Sequence, residues 1–292
     1  MALRQDNLFA NPFAIGVFDG IGSSTRSDLL SMALARAFQI RTSTESAPSN
    51  TIENSSERML LEVADSETMR YEAHSIIRRA FATALANGHQ QYRGNNTTAS
   101  TVCLVRLFSH GPATDRHHSI HTANVGDGFW IVLRRQSEHW RCIAHSEPTY
   151  HDYQRGTLVP LQLAYDSRGN LITSNDLKRS HCSKVPVQHD DLVLALSDGA
   201  VDNLPAYRRP GQSPHRSLAE WIVLCMNRDA TVAWTPALVV SHMRQLVRVS
   251  MRGPGAKYDD FTVVAARVSI GLPRSAATPP AGGSLYPIHS QT

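Results

Sequence analysis

Cysteine is scarce in this chain of 292 residues: Cys103, Cys142, Cys182 and Cys225 are its only four, and no two of them form a C-x-x-C pair. That spacing argues against a cysteine-built zinc site and offers no disulfide framework, so a reducing compartment is expected. Long apolar runs are missing too. Nothing approaches the roughly 20 residues a membrane-spanning helix requires, and residues 1–12 have neither the basic start nor the apolar centre of a secretory signal. The expectation is a soluble intracellular protein, cytoplasmic or mitochondrial, with a native start upstream of Met1 left open.

The formal net charge is +4 and the isoelectric point near 9.0, yet the arginines are scattered and form no basic stretch interleaved with aromatics. Nucleic acid is therefore not an expected partner. Arginine forks match phosphate oxygens, so a phosphorylated, acidic partner suits this surface better. Also absent are a G-x-S-x-G nucleophile elbow, a cysteine leading into a phosphate-cradling loop that ends in arginine and, among 14 histidines, any H-E-x-x-H pair. His117, His118, His145, His151 and His189 are expected to be loop or structural residues, and Asp190 with Asp191 a solvated turn before a strand.

What is present, with 41% hydrophobic residues, suffices for one large α/β domain over residues 1–270. The apolar run Phe13–Phe18 predicts a buried strand and Leu29–Ile40 a helix; residues 41–58 form a polar insertion or loop. Ser66–Ala86 has helical spacing and the stop signal Asn87-Gly88. Strands are expected over Ala99–Leu107, Ile120–Val125, Phe129–Leu133 and Trp140–Ala144, with Gly126-Asp127-Gly128 as a hairpin turn and Trp130 and Trp140 in the core. Then follow a strand over Leu192–Leu196, helices over Trp221–Met226 and Ala237–Val249, and a strand over Phe261–Val268. Residues 271–292, rich in Pro, Ala, Gly and Ser, predict a disordered tail. Strands grouped between helix pairs favour an α+β fold of two packed, mainly antiparallel sheets flanked by helices on both outer faces.

Three aspartates stand at the ends of apolar strands: Asp19 before Gly20, Asp198 before Gly199, and Asp259 beside Asp260. A carboxylate leaving a buried strand without a cationic neighbour in sequence is costly unless a metal or partner neutralises it. Converging carboxylates are what hard cations such as Mg²⁺ and Mn²⁺ require, and the Gly20 carbonyl could join them. Each Asp-Gly is also a common turn dipeptide. A hairpin would account for Asp127 fully, and spacing does not choose between Asp259 and Asp260.

Five segments in order, Gly16-Val17-Phe18-Asp19-Gly20-Ile21-Gly22, Asn96-Thr97-Thr98-Ala99-Ser100, Ala123-Asn124-Val125-Gly126-Asp127, Leu194 to Asn203 and Asp259-Asp260-Phe261-Thr262-Val263-Val264, resemble the motif series of the PPM (PP2C-type) protein phosphatases. The match runs over residues 6–268. Gly126 to Phe129, Pro160 to Leu163 and the Asp202-Asn203 ending are most similar to the PTC7-like branch.

The resemblance implies an αββα sandwich and metal-dependent hydrolysis of phosphoserine and phosphothreonine, with Asp19, Asp198 and Asp259 as the catalytic carboxylates. Asp19 would bridge two Mg²⁺ or Mn²⁺ ions with the Gly20 carbonyl on one, while Asp198 and Asp259 would hold the other and Asp6 act through water. Asp127 with Asp198 and Asp202 would match a third ion. The ions would share and activate the attacking water, phosphoproteins would be the partners, and a monomer is expected. Two departures accompany this. Ile21 stands where many members carry a histidine, and the phosphate-binding arginine would fall at or before Met1, leaving Arg4 as the substitute. The alternative is a weak or inactive member of the fold acting as a binding or regulatory protein.

Overall fold

The structure is a computed structural model that describes residues 6–21, 27–44, 98–110, 117–151, 159–166, 179–205, 211–229, 231–253, 256–257, 259–270 and 284–288. The strands are β1 Asn7–Ala10, β2 Ala14–Phe18, β3 Thr98–Ser100, β4 Val102–His110, β5 His117–Val125, β6 Phe129–Gln136, β7 His139–His145, β8 Leu163–Tyr165, β9 His181–Pro186, β10 Leu192–Leu196, β11 Val263–Ser269 and β12 Ser284–Ile288. The helices are α1 Ser27–Thr44, α2 Asp198–Asn203, α3 Pro214–Arg228 and α4 Pro236–Ser250. The expected helix over Ser66–Ala86 lies outside the described residues.

Two five-stranded sheets, ordered β1-β2-β4-β5-β9 and β12-β11-β10-β6-β7, stack on one another, and the described pairings within them are antiparallel. Their inner faces meet through Ile15, Val17, Val105, Ile120, Trp130, Val132, Val193 and Val264. The alternate residues of β10 and β6, Leu192, Leu194, Leu196, Phe129 and Ile131, face outward onto Leu218 and Ile222 of α3 and Val239 and Met243 of α4. Strands covered on both faces read as unbroken apolar runs, which is why Leu192–Leu196 is legible as it stands. The other sheet is covered by α1, where Phe38 stacks on Phe18 at 5.5 Å between ring centres.

Three expectations change. Gly126-Asp127-Gly128 is not a hairpin: β5 pairs with β4 and β9, β6 with β10 and β7, so this turn carries the chain from one sheet to the other. Asp191 is not a solvated turn residue. It is 1% exposed and takes a two-pronged hydrogen bond from Arg134, Nε to Oδ1 and Nη2 to Oδ2, both at 2.8 Å. Part of the expected tail is strand β12, antiparallel to β11. An edge strand offers unpaired backbone groups, and the outermost position tolerates Pro287.

Candidate metal centre

Sheet register gathers the aspartates at one end of the sandwich. Asn7 pairs with Phe18, which sets Asp6 opposite Asp19. Leu196 pairs with both Phe129 and Val263, so the turn holding Asp127, the start of α2 at Asp198 and the approach to β11 at Asp259 all lie at the same sheet edge. Gly20 faces Ser100 in an antiparallel bridge flanked by Thr101 N–H to Asp19 O at 2.9 Å and Ile21 N–H to Ala99 O at 3.1 Å. In such a pair the central residue's own N–H and C=O point away from the partner strand, so this pairing leaves the Gly20 carbonyl unused.

Each support is specific. The Ser197 hydroxyl accepts from Thr262 N–H at 2.9 Å and Ser197 N–H donates to Thr262 O at 3.0 Å, which ties the residue before Asp198 to β11's approach. Gly126, at φ +106°, is fastened by Thr149, whose hydroxyl accepts from its N–H at 2.7 Å. His215, buried on α3, reaches the Asp127 carbonyl through Nε2 at 3.0 Å, while Nδ1 lies 3.1 Å from the Ser146 hydroxyl. Nδ1 also lies 3.0 Å from the Ser146 carbonyl, so a neutral ring donates to one of the two carbonyls, Asp127 or Ser146, and not to both. Burial pushes His215 down to about 4, in keeping with that neutral form.

The carboxylates burden one another. Burial, then the charges of Asp6 and Asp198, hold Asp19 far above the ordinary carboxylate range. Burial likewise raises Asp6, tempered by Asp19 and the Ser197 and Thr262 hydroxyls. Asp127 is pushed up to about 7 by burial and then by Asp198. Burial and Asp198 raise Asp259, with Lys257 acting against them. Asp127 Oδ1 and Asp198 Oδ1 are buried without a hydrogen-bond partner, and neither Asp6 oxygen meets a well-formed one. Buried, unpartnered oxygens among mutually repelling carboxylates fit a hard divalent cation, whose ligands are oxygens and whose charge would remove the penalty.

No protein-family model matches the chain. It is similar to the Protein phosphatase PTC7 homolog fig of Drosophila grimshawi, 26% identical over 200 residues, which are 64% of this chain and 60% of that protein. The chain thus spans about three fifths of that relative's length. Among solved structures it resembles a bacterial serine phosphatase, with a TM-score of 0.54 at 15% identity over 91% of this chain and 92% of that one. It also resembles the catalytic domain of the serine threonine protein phosphatase PstP in complex with two manganese ions, with a TM-score of 0.52 at 14% identity over 92% and 93%. The chain has the fold of these phosphatases and is similar in sequence to the PTC7 homologs.

Asp6, Asp19, Asp127 and Asp198 share one electrostatic neighbourhood, and Asp259 joins it through Asp198. Sequence reasoning missed Lys257. Asp259 was read as lacking a cationic neighbour, yet Lys257 Nζ lies 3.4 Å from Asp259 Oδ2, 3.2 Å from Asp202 Oδ2 and 2.5 Å from Asp198 Oδ2. The signal was its place two residues before Asp259. Among the described residues, no three His, Cys, Asp or Glu side chains already close on one point as a ligand set. Gly199 also differs from expectation: it lies within α2 rather than in a turn, and what it permits is the approach of Asp260. Arg4 lies outside the described residues. None of the helices described is long and apolar enough to cross a membrane.

Proposed function

We propose that this chain is a divalent-metal-dependent protein serine/threonine phosphatase acting on phosphoproteins. The observation that carries the reading is the convergence of Asp6, Asp19, Asp127 and Asp198 from separate segments onto one buried corner, with oxygens left without hydrogen-bond partners. Asp19 and the Gly20 carbonyl would serve one ion, Asp198 and Asp259 a second, with Asp6 contributing through water and Asp127 and Asp202 at a third position. Bound Mg²⁺ or Mn²⁺ supplies an acidified water near neutral pH and neutralises phosphate charge.

The chain's own part is placement. Strand ends hold Asp19 rigidly, the Ser197–Thr262 pairing fixes the entry to Asp198, and the His215 contact holds the backbone of Asp127. Ile21 offers no proton at its position, so the donor to the leaving oxygen is another group. The PTC7 name of the sequence relative and the manganese in the PstP complex support the reading.

The test is hydrolysis of para-nitrophenyl phosphate and of a phosphothreonine peptide with Mn²⁺, with EDTA, and by Asp198→Ala. Activity is expected with Mn²⁺ alone. Turnover that persists in EDTA or in Asp198→Ala sinks the metal reading, whereas Mn²⁺ binding without turnover in the wild type points to the inactive binding protein.

A further inference from the structure

The Lys257 ammonium sits among three carboxylate oxygens contributed by α2 and by the approach to β11, Asp198 Oδ2, Asp202 Oδ2 and Asp259 Oδ2. Its backbone is not free to drift. Asn203 Nδ2 donates to the Lys257 carbonyl at 2.8 Å and Asn203 Oδ1 accepts from the Lys257 N–H at 3.2 Å, while the same Nδ2 also donates to Gly199 O at 2.8 Å. One asparagine thus locks Lys257 to the helix that bears Asp198 and Asp202.

The side chain is held differently. It is 42% exposed, and a four-carbon stem lets the ammonium swing into water while the locked backbone stays put. Nor does the ammonium complete the corner, because Asp198 Oδ1 stays buried without a partner. A single point charge offsets only part of the repulsion, and a divalent ion with several oxygen ligands would offset more. Ammonium and ion cannot occupy the same corner together.

We propose that Lys257 is a resident counter-ion, which keeps the Asp198–Asp202–Asp259 corner folded without metal and is displaced by the divalent ion that binds there. This rests on the metal reading above. It makes ammonium seating and ion binding reciprocal: whatever the pair of Lys257 with the carboxylates contributes to the metal-free protein is subtracted from the ion's affinity.

The experiment uses the full chain, wild type and Lys257→Met, titrated with Mn²⁺ and melted with EDTA and with saturating Mn²⁺. Lys257→Met is expected to bind Mn²⁺ at least about fivefold tighter, the low end of ordinary site coupling, to melt lower in EDTA, and to match the wild type when loaded. A variant that binds no tighter, or melts like the wild type in EDTA, overturns the proposal. A second readout needs no variant. Acetylation of Lys257 in the wild type, followed by mass spectrometry, should be slow in EDTA and faster with Mn²⁺, and an unchanged rate overturns the displacement. If the wild type binds Mn²⁺ and these differences are absent, only the counter-ion role fails. If neither protein binds Mn²⁺, displacement and the metal reading fail together.

Discussion

A Cβ on Gly199 would lie 1.9 Å from the carbonyl oxygen of Asp260, so α2 and the approach to β11 touch backbone to backbone. Backbone cannot yield as a side-chain tip can. Gly199→Ala is therefore expected to exceed the ~1–3 kcal/mol of ordinary overpacking and to move Asp198 away from Asp259. The checks are urea unfolding and Mn²⁺ titration; a variant that is wild-type in both would refute the contact.

Arg134 and Asp191 form the staple at the far end of β10 from Asp198. Asp191 also accepts from Gln188 N–H at 2.8 Å, but losing the guanidinium would leave a buried carboxylate uncompensated. Arg134→Ala should cost about 3 kcal/mol, the low end for breaking a buried pair because the arginine keeps one side in water. Hydrolysis per folded molecule should not change. Equilibrium unfolding and a rate normalised to folded protein test the two halves.

The His215 ring gives the fold a pH dependence of known sign. Its folded value of about 4 lies below the roughly 6.5 of an exposed histidine, so the unfolded chain binds the extra proton first as pH falls. The stabilising share of the neutral ring is complete above about pH 6.5 and is lost between there and about pH 4. Melting in EDTA across this range should fall more steeply for the wild type than for His215→Gln. Parallel curves would refute it.

Asp127 illustrates the opposite balance. Held up to about 7 by burial and by Asp198, its ionised form weakens the metal-free fold. Asp127→Asn should melt higher than the wild type at pH 8 in EDTA and bind Mn²⁺ more weakly. A lower melting temperature would contradict the assignment of Asp127 Oδ1 as an unpartnered buried oxygen.

β10 was legible because every residue in it is apolar, and it matches its expected bounds; the helices α3 and α4 were found from their apolar centres. Their starts were missed on α3 although Ser213 followed by Pro214 is a start signal, and the Ser213 hydroxyl does accept from Arg216 N–H at 3.2 Å. β9 was missed because an edge strand such as His181–Pro186 is half-exposed and polar. The crossing at Asp127 was misread because a short Gly-rich link states that two strands are near in sequence, not that they pair. Asp19 and Asp198 were visible as strand ends, whereas Asp259 lies four residues before β11. Lys257 was not visible, since only the folded chain shows that Asn203 fastens its backbone to the helix bearing Asp198.

The sheet register that brings Asp6 to Asp19 is local, but the one that brings Asp259 beside Asp198 spans the two sides of α3 and α4. A ribosome must therefore deliver nearly the whole domain before the corner closes. A nascent or truncated chain ending before β11 would hold Asp19 and Asp198 yet lack the strand that pairs with β10 beside Asp198. The corner that holds Asp198 and Asp259 is thus assembled only when the last strand of the central pairing docks.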